Sequence, residues 1–187
     1  MIFDTDDLHA TNHRLDLLER LHDANPLFRM TAFAVPAYCT PAFLASLPEW
    51  IECVPHGWDH GGPDCANARE AEHWTYDQAI DVLLSAPEGM ARGWKSPGWQ
   101  ISDGTYLALH ELGYWVADQH YNDHRRPEGI RFHCEGDGDH VHTHVQNVCG
   151  NGLEETFPAL LERVRVAESF ELVSEVVRPW VPERVAA

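Results

Sequence analysis

The chain has 187 residues, enough to bury a core without cross-links, and its 44% hydrophobic and 23% charged composition excludes an extended disordered polymer. Its 30 acidic residues against 13 basic ones give a formal net charge of -17, a field that repels phosphate backbones and anionic lipid, so neither general nucleic-acid binding nor membrane binding is expected. The five cysteines form no CxxC pair, which argues against a disulfide framework and against a thiolate zinc site and points to a reducing compartment.

No repeat, linker or low-complexity tract divides the sequence, so one domain over residues 1–187 is expected. No run reaches membrane-spanning length and no cleavage pattern follows Met1. The expected location is cytoplasmic, or secreted if a signal was removed.

In chain order, Ile2-Phe3 leads a first strand into the acidic cluster Asp4, Asp6 and Asp7. Thr11 is placed to cap a helix with Leu15, Leu18 and Leu21 on one face, stopped by Asn25-Pro26. Residues 28–35 read as a second strand, Thr40-Pro41 opens a short helix, and residues 50–54 form a third strand that ends at His56. A polar stretch over residues 57–72 is too irregular for regular structure and is a candidate functional loop.

Alternation then resumes. Thr75 caps a helix expected to turn Ile80, Leu83 and Leu84 inward, and residues 92–95 form a short strand. Ser102 opens a helix that closes at Gly113, and residues 114–118 form the next strand. Two strands are expected on either side of Gly136-Asp137-Gly138. Residues 146–152 follow as a candidate loop wall. A long helix then carries Phe157, Leu160, Leu161 and Val164 on one face, and a last strand is expected at residues 170–173. Strands alternating with helices predict an α/β fold, a mostly parallel sheet or barrel with helices outside and its site at the C-terminal strand ends. Asp6, Asp7, His56, Lys95, Asp118 and His144 all fall at or near such ends.

His56 and His60 are four apart and share one face of a helical turn, a spacing that offers two metal ligands from one element. Among 13 histidines such a pair is weak on its own, and a solvated loop is the plain alternative. Adjacent Asp6 and Asp7 at the end of an apolar strand repel each other unless a cation or hydrogen-bond donors compensate. Asp7, His56 and His60 then make a two-histidine, one-carboxylate set, and Asp6 is left as a general base; the competing reading of Asp6 is a turn aspartate. His133-Cys134-Glu135 also suggests a two-histidine, one-carboxylate iron oxygenase, but those are all-β and the periodic helices here count against it.

The Asp6-Asp7 pair, the HxxxH of residues 56–60 and the basic-x-Pro segment Lys95-Ser96-Pro97 come in an order that resembles the polysaccharide deacetylase (NodB-homology, carbohydrate esterase family four) superfamily over nearly the whole chain. The resemblance implies a distorted (β/α)7-type barrel with Asp6 as base and Asp7, His56 and His60 as metal ligands. The family arginine of the third motif is replaced by Lys95, which keeps the charge and loses the planar fork. Residues 114–118 resemble the fourth motif and assign Asp118 as a partner of other site residues. In Val141-His142-Thr143-His144, which resembles the fifth, two histidines share a face; the general acid is assigned to His144, with His142 lining the site. Trp58, Pro97 and Trp99, with His142, outline a substrate pocket.

The implied activity is metal-dependent removal of an acetyl group, N-acetyl before O-acetyl, from a polysaccharide, amino sugar or related small molecule. The cofactor would be a divalent metal, zinc first, with cobalt, nickel, manganese or iron as alternatives. Two rival functions remain: a small-molecule amidohydrolase of the same superfamily, and an inactive metal-binding or interaction protein on this scaffold.

Overall fold

The structure, a computed structural model, describes residues 1–65, 69–146 and 150–181. Among these residues, eight strands and six α-helices follow one another as β1 (Ile2–Leu8), α1 (Leu15–Ala24), β2 (Met30–Ala34), α2 (Pro41–Ser46), β3 (Ile51–Pro55), α3 (Tyr76–Leu84), β4 (Gly93–Lys95), α4 (Asp103–Glu111), β5 (Trp115–Asp118), β6 (Arg131–Cys134), β7 (His140–His144), α5 (Leu153–Val166), α6 (Val173–Val176) and β8 (Arg178–Pro179). The strands lie in two runs, β3-β2-β1-β7 and β4-β5-β6-β8, joined by one parallel bridge between His56 and Lys95. All ladders are parallel except β6 with β8. The result is an α/β fold, a distorted barrel of mostly parallel strands with helices outside. No described helix is long and apolar enough to cross a membrane.

Successive strand side chains point to opposite faces, and that alternation sorts the core into layers. Phe3, Ala32, Ala34 and Cys53 point outward and pack with Leu18 and Leu21 of α1 and with Leu160 and Val164 of α5. Trp94 and Val116 point outward against Ala79 and Leu83 of α3 and Leu109 of α4. Ile2, Phe33, Val54, Trp115 and Ala117 point inward, where Val173 of α6 and Val177 complete an apolar plug. The interior of the barrel is therefore apolar at one end. Further along the same inward rows come Asp4 and Asp6 on β1, His56 after Val54, and Lys95 on β4, all buried.

Four expectations differ in detail. Thr11 does not cap α1: its N–H and hydroxyl donate to His9 Nδ1 at 3.4 and 3.3 Å, and Arg14 stands at the N-cap in a left-handed conformation (φ 41°). Leu84 is 69% exposed because the packed face of α3 is set by Ala79 and Leu83, with Ile80 at its margin. The strands flanking Gly136-Asp137-Gly138 form no hairpin: β6 ladders with β5 and β8, and β7 ladders with β1, so each satisfies its backbone with other neighbours. Residues 170–173 supply only a single bridge, from Glu171 to Ile2, before α6 turns inward to fill the barrel end. The capping predictions for Thr40, Thr75 and Ser102 hold, each side chain accepting an N–H three residues on.

Candidate functional site

Strict alternation would place Asp6 and Asp7 on opposite faces of β1. The register of β1 against β2 slips between Asp6 and Leu8, and Asp7 takes a positive φ of 68°. This bulge re-aims Asp7, so that two consecutive carboxylates, both buried, line the same cavity of about 240 Å³. Around them stand His56, His60, Cys65, Ser96, Gly98, Trp99, Glu135, His142 and His144.

The segment that brings His60 back to His56 is folded around Glu70. Its carboxylate accepts the N–H groups of Trp58 (2.6 Å), His60 (3.0 Å) and Asp59 (3.4 Å), a ring of backbone donors that fixes the turn. Gly57 permits the approach: its φ is +67°, and an added Cβ would lie 2.0 Å from Glu70 Oε1 and 2.7 Å from Pro97 Cγ. With the turn in place the His56 and His60 rings sit 5.0 Å apart.

His56 Nδ1 lies 2.9 Å from the Lys95 carbonyl, which can only accept, so Nδ1 carries the proton and Nε2 presents a lone pair. That lone pair points at acceptors: Asp7 Oδ1 at 3.6 Å and Asp6 Oδ2 at 3.7 Å. His60 Nε2 stands 3.3 Å from the same Asp7 oxygen. Asp7 Oδ2 accepts Gln146 Nε2 at 2.7 Å, whereas Oδ1 is buried without a hydrogen-bond partner among the described residues. Each imidazole nitrogen thus lies 3.6 or 3.3 Å from one orphaned carboxylate oxygen, close to the donor spacing of about 3.3 Å in a tetrahedral metal shell. Burial first, then the neighbouring Asp6 charge, pushes the Asp7 carboxyl up to about 6, while burial pulls His56 down to about 3. Both shifts record the cost of placing charge in a buried donor set.

The opposite wall has its own cation. Lys95 is 1% exposed, and its Nζ donates to Asp6 Oδ1 (2.8 Å) and Glu135 Oε2 (2.6 Å), with Asp4 Oδ1 at 3.7 Å. The ammonium also lies over the rings of Phe33 (4.8 Å) and Trp99 (4.5 Å). Burial would raise Asp6, but the charges of Lys95, His56 and His142 outweigh it and hold the carboxyl below its ordinary range. Asp4 is held well below for the same reason, with Lys95 the largest opposing charge to its burial. Asp4 also grips two histidines of β7, His140 through Nε2 (2.5 Å) and His142 through Nδ1 (2.6 Å). Burial lowers the affinity of His142 for its proton, yet Asp6 and Asp4 more than compensate and its pKa rises; His144, without such a partner, is pulled down to about 4 by burial.

Of the residues singled out in the sequence, the structure thus brings Asp6, Asp7, His56, His60, His142, His144 and Trp99 together around the cavity, with Lys95 behind Asp6. Asp118 is elsewhere. Val116 and Asp118 share the outward parity of β5, and the Asp118 carboxylate accepts Gln119 N–H (2.7 Å), Asn122 Nδ2 (2.8 Å), Arg126 Nη2 (3.2 Å) and the Tyr106 hydroxyl. Trp58 and Pro97 do not line the cavity; Pro97 is buried beneath Gly57. The candidate loop wall contributes Gln146, whereas residues 147–149 lie outside the described residues. Sequence reasoning gave Asp4, Glu70, Gln146 and Cys65 no role of their own, although Asp4 stood in the acidic cluster and Glu70 and Gln146 in candidate loops, and it read Glu135 only as part of an oxygenase motif. Asp4 and Glu135 could have been found by parity, since Asp4 shares a face with Asp6 and Glu135 with His133.

No protein-family model matches the sequence, and no curated protein matches it. Solved structures do. The chain is similar to a family 4 carbohydrate esterase from Streptomyces lividans in complex with acetate, at 11% identity and TM-score 0.64, covering 98% of this chain and 97% of that one. It is similar to a family 4 acetyl xylan esterase from Clostridium thermocellum in complex with a cobalt ion, at 13% identity and TM-score 0.59, over 93% and 88%. A deacetylase solved with substrate aligns at 11% identity and TM-score 0.62, over 95% and 92%. At such identities the likeness is one of fold: this chain has the distorted barrel of the family 4 carbohydrate esterases.

Proposed function

We propose that the chain is a metal-dependent deacetylase that hydrolyses an N-acetyl group of an amino sugar, an oligosaccharide or a related small molecule. The observation that carries the reading is the buried Asp7 Oδ1, unpartnered among the described residues, between two imidazole Nε2 atoms and beside a second carboxylate whose Oδ2 is turned to the His56, His142 and His144 rings. Asp7, His56 and His60 would hold a divalent ion, zinc by donor type, and the bound ion supplies Lewis-acid polarisation of the acetyl carbonyl and of the attacking water. The neighbours solved with cobalt, acetate or substrate support the same class of reaction.

Asp6 is the proposed base. Lys95 fixes its Oδ1, and Oδ2 faces the cavity with a depressed proton affinity, so the carboxylate is ionised and aimed at neutral pH. The proposed acid is His142 rather than His144. Asp4 holds its Nδ1, its pKa is raised, and its Nε2 faces the same Asp6 oxygen at 3.9 Å, so it can store a proton for the leaving group. An amine leaves only once protonated, which favours the N-acetyl over the O-acetyl substrate. In the net reaction water is split between acetate and the freed amine, its proton passing through Asp6 and the amine's proton coming from His142.

The test is acetate release from chitooligosaccharides, acetylated xylan and small acetamides by protein loaded with zinc, cobalt, nickel, manganese or iron. Release from a chitooligosaccharide with one ion per chain is expected, and His60→Ala should lose both ion and activity. Stoichiometric metal without turnover on any substrate would sink the enzyme reading, and cleavage confined to small acetamides would redirect it.

A further inference from the structure

We propose that the Cys65 thiol is a fourth protein ligand to the ion held by Asp7, His56 and His60, and that it biases the site toward thiophilic metals, zinc and cobalt, over hard ones such as manganese. The proposal rests on the metal-centre reading above and adds to it a donor that the motif resemblance does not supply.

A carboxylate oxygen of Asp7, a ring nitrogen of His60 and the Cys65 sulfur lie within 4.8 Å of one another, and all three residues are buried. One further observation points into that space. Asp7 Oδ1 is buried and unpartnered among the described residues, on a residue only 2% exposed, and it lies 3.3 Å from His60 Nε2. The cysteine is presented by architecture as well as proximity. Cys65 N–H donates to the Gly62 carbonyl at 3.0 Å, and Gly62 N–H donates to the Asp59 carbonyl at 2.9 Å, so two successive turns carry the chain out and back. The His9 ring donates from Nε2 to the Pro63 carbonyl at 3.1 Å and ties the outer turn to the barrel. Pro63 and Asp64 stay exposed while Cys65, with φ 50°, tucks its side chain into the cavity.

Charge favours the same assignment. With two neutral imidazoles, one carboxylate and one thiolate, the donors carry two negative charges against the two positive charges of the ion, which suits a site buried this deeply. Coordination is written as S–H losing its proton to solvent as the metal–sulfur bond forms, so binding releases one proton from Cys65. A thiolate ranks zinc and cobalt far above manganese, whereas a carboxylate or water in that place would not.

Zinc and cobalt loaded into the full chain provide the test. X-ray absorption at the zinc edge should find one sulfur scatterer at about 2.3 Å. The cobalt form should show a near-ultraviolet thiolate charge-transfer band that disappears in Cys65→Ser while one cobalt remains bound. The preference for zinc over manganese, measured by competition, should fall at least about tenfold in that variant. Nitrogen and oxygen scatterers alone, or a band that persists in Cys65→Ser, overturns the thiolate ligand and leaves the three-ligand centre standing. Failure of the wild-type chain to bind any ion overturns both. If Cys65→Ser does not fold, iodoacetamide labelling of the wild type with and without zinc decides: protection at Cys65 supports the proposal, and equal labelling overturns it.

Discussion

The two walls of the cavity solve the same electrostatic problem in opposite ways. On one, Asp4, Asp6 and Glu135 are gathered around a covalent cation, Lys95, and Asp4 is also held by His140 and His142. On the other, Asp7 faces the Nε2 atoms of His56 and His60 with no side-chain cation in contact among the described residues, and burial, then the Asp6 charge, raises its carboxyl to about 6. Asp6 belongs to both, with Oδ1 on Lys95 and Oδ2 turned to His56. The contrast teaches that one wall is held by its own lysine, whereas on the proposed reading the other takes its positive charge from a bound ion.

The sharpest way to break this comparison is at the shared residue. Asp6→Asn keeps the shape, removes the proposed base and leaves Asp7, His56 and His60 in place. Turnover should fall by about 10²–10⁴-fold with metal content unchanged. Equal loss of metal and rate would place Asp6 among the ligands and merge the two walls into one.

Next in size is the covalent cation. Lys95→Met leaves the buried Asp4 and Asp6 and the partly buried Glu135 facing one another, and urea unfolding should show a loss of about 3–5 kcal/mol, typical of a buried charge stripped of its partner. Lys95→Arg restores the charge with a bulkier head and should recover most of that stability. A Lys95→Met protein within about 1 kcal/mol of wild type would show that the wall is not held by its lysine.

How much of this could be read in advance divides along the same lines. Asp6, Asp7, His56, His60 and Lys95 were legible because each closes an apolar run, and adjacent acids or paired imidazoles there have few structural uses. The barrel was legible from its alternation of strands and helices, down to the caps at Thr40, Thr75 and Ser102. The roles of Gln146 and Glu70 were not: Gln146 is chosen by a contact across the fold with Asp7, 139 residues away, Glu70 by N–H groups earlier in its own loop, and neither sits in a periodic or paired pattern. Cys65 was discounted because thiolate sites usually announce themselves as CxxC pairs, and here a single cysteine is brought in by two turns of a loop. Asp118 failed for a simpler reason. Strand-end position was weighed without parity, and β5 turns Trp115 and Ala117 inward, which sends Asp118 out.

That misplacement gives a prediction smaller in energy and opposite in kind. Asp118→Asn makes one acceptor a donor among Tyr106, Asn122 and Arg126, and should lower stability by about 1–3 kcal/mol, the range for hydrogen bonds to a charged group. Because the network lies outside the cavity, kcat of the folded fraction should stay within about threefold of wild type. A loss of kcat near that of Asp6→Asn, with stability intact, would return Asp118 to the chemistry.

The smallest expected effect is a displacement along the pH axis. His142 must carry a proton to act as the acid, so activity should fall as pH rises through its pKa, which stands above the ordinary 6.5 because the Asp6 and Asp4 charges outweigh burial. By the same sign, whatever stability His142 contributes is complete below 6.5 and is lost as pH climbs through the raised value. Asp4→Asn removes one of those charges while leaving Asp6 and the donors of the opposite wall untouched, so the alkaline limb of kcat should move to lower pH, by less than about one unit. His144, already pulled down to about 4 by burial, predicts the other outcome: with it as acid the limb would lie far below neutrality and Asp4→Asn would barely shift it. A limb that stays put in Asp4→Asn therefore removes His142 from the acid's role, and with it the proposal that the lysine-bearing wall stores the proton spent on the leaving amine.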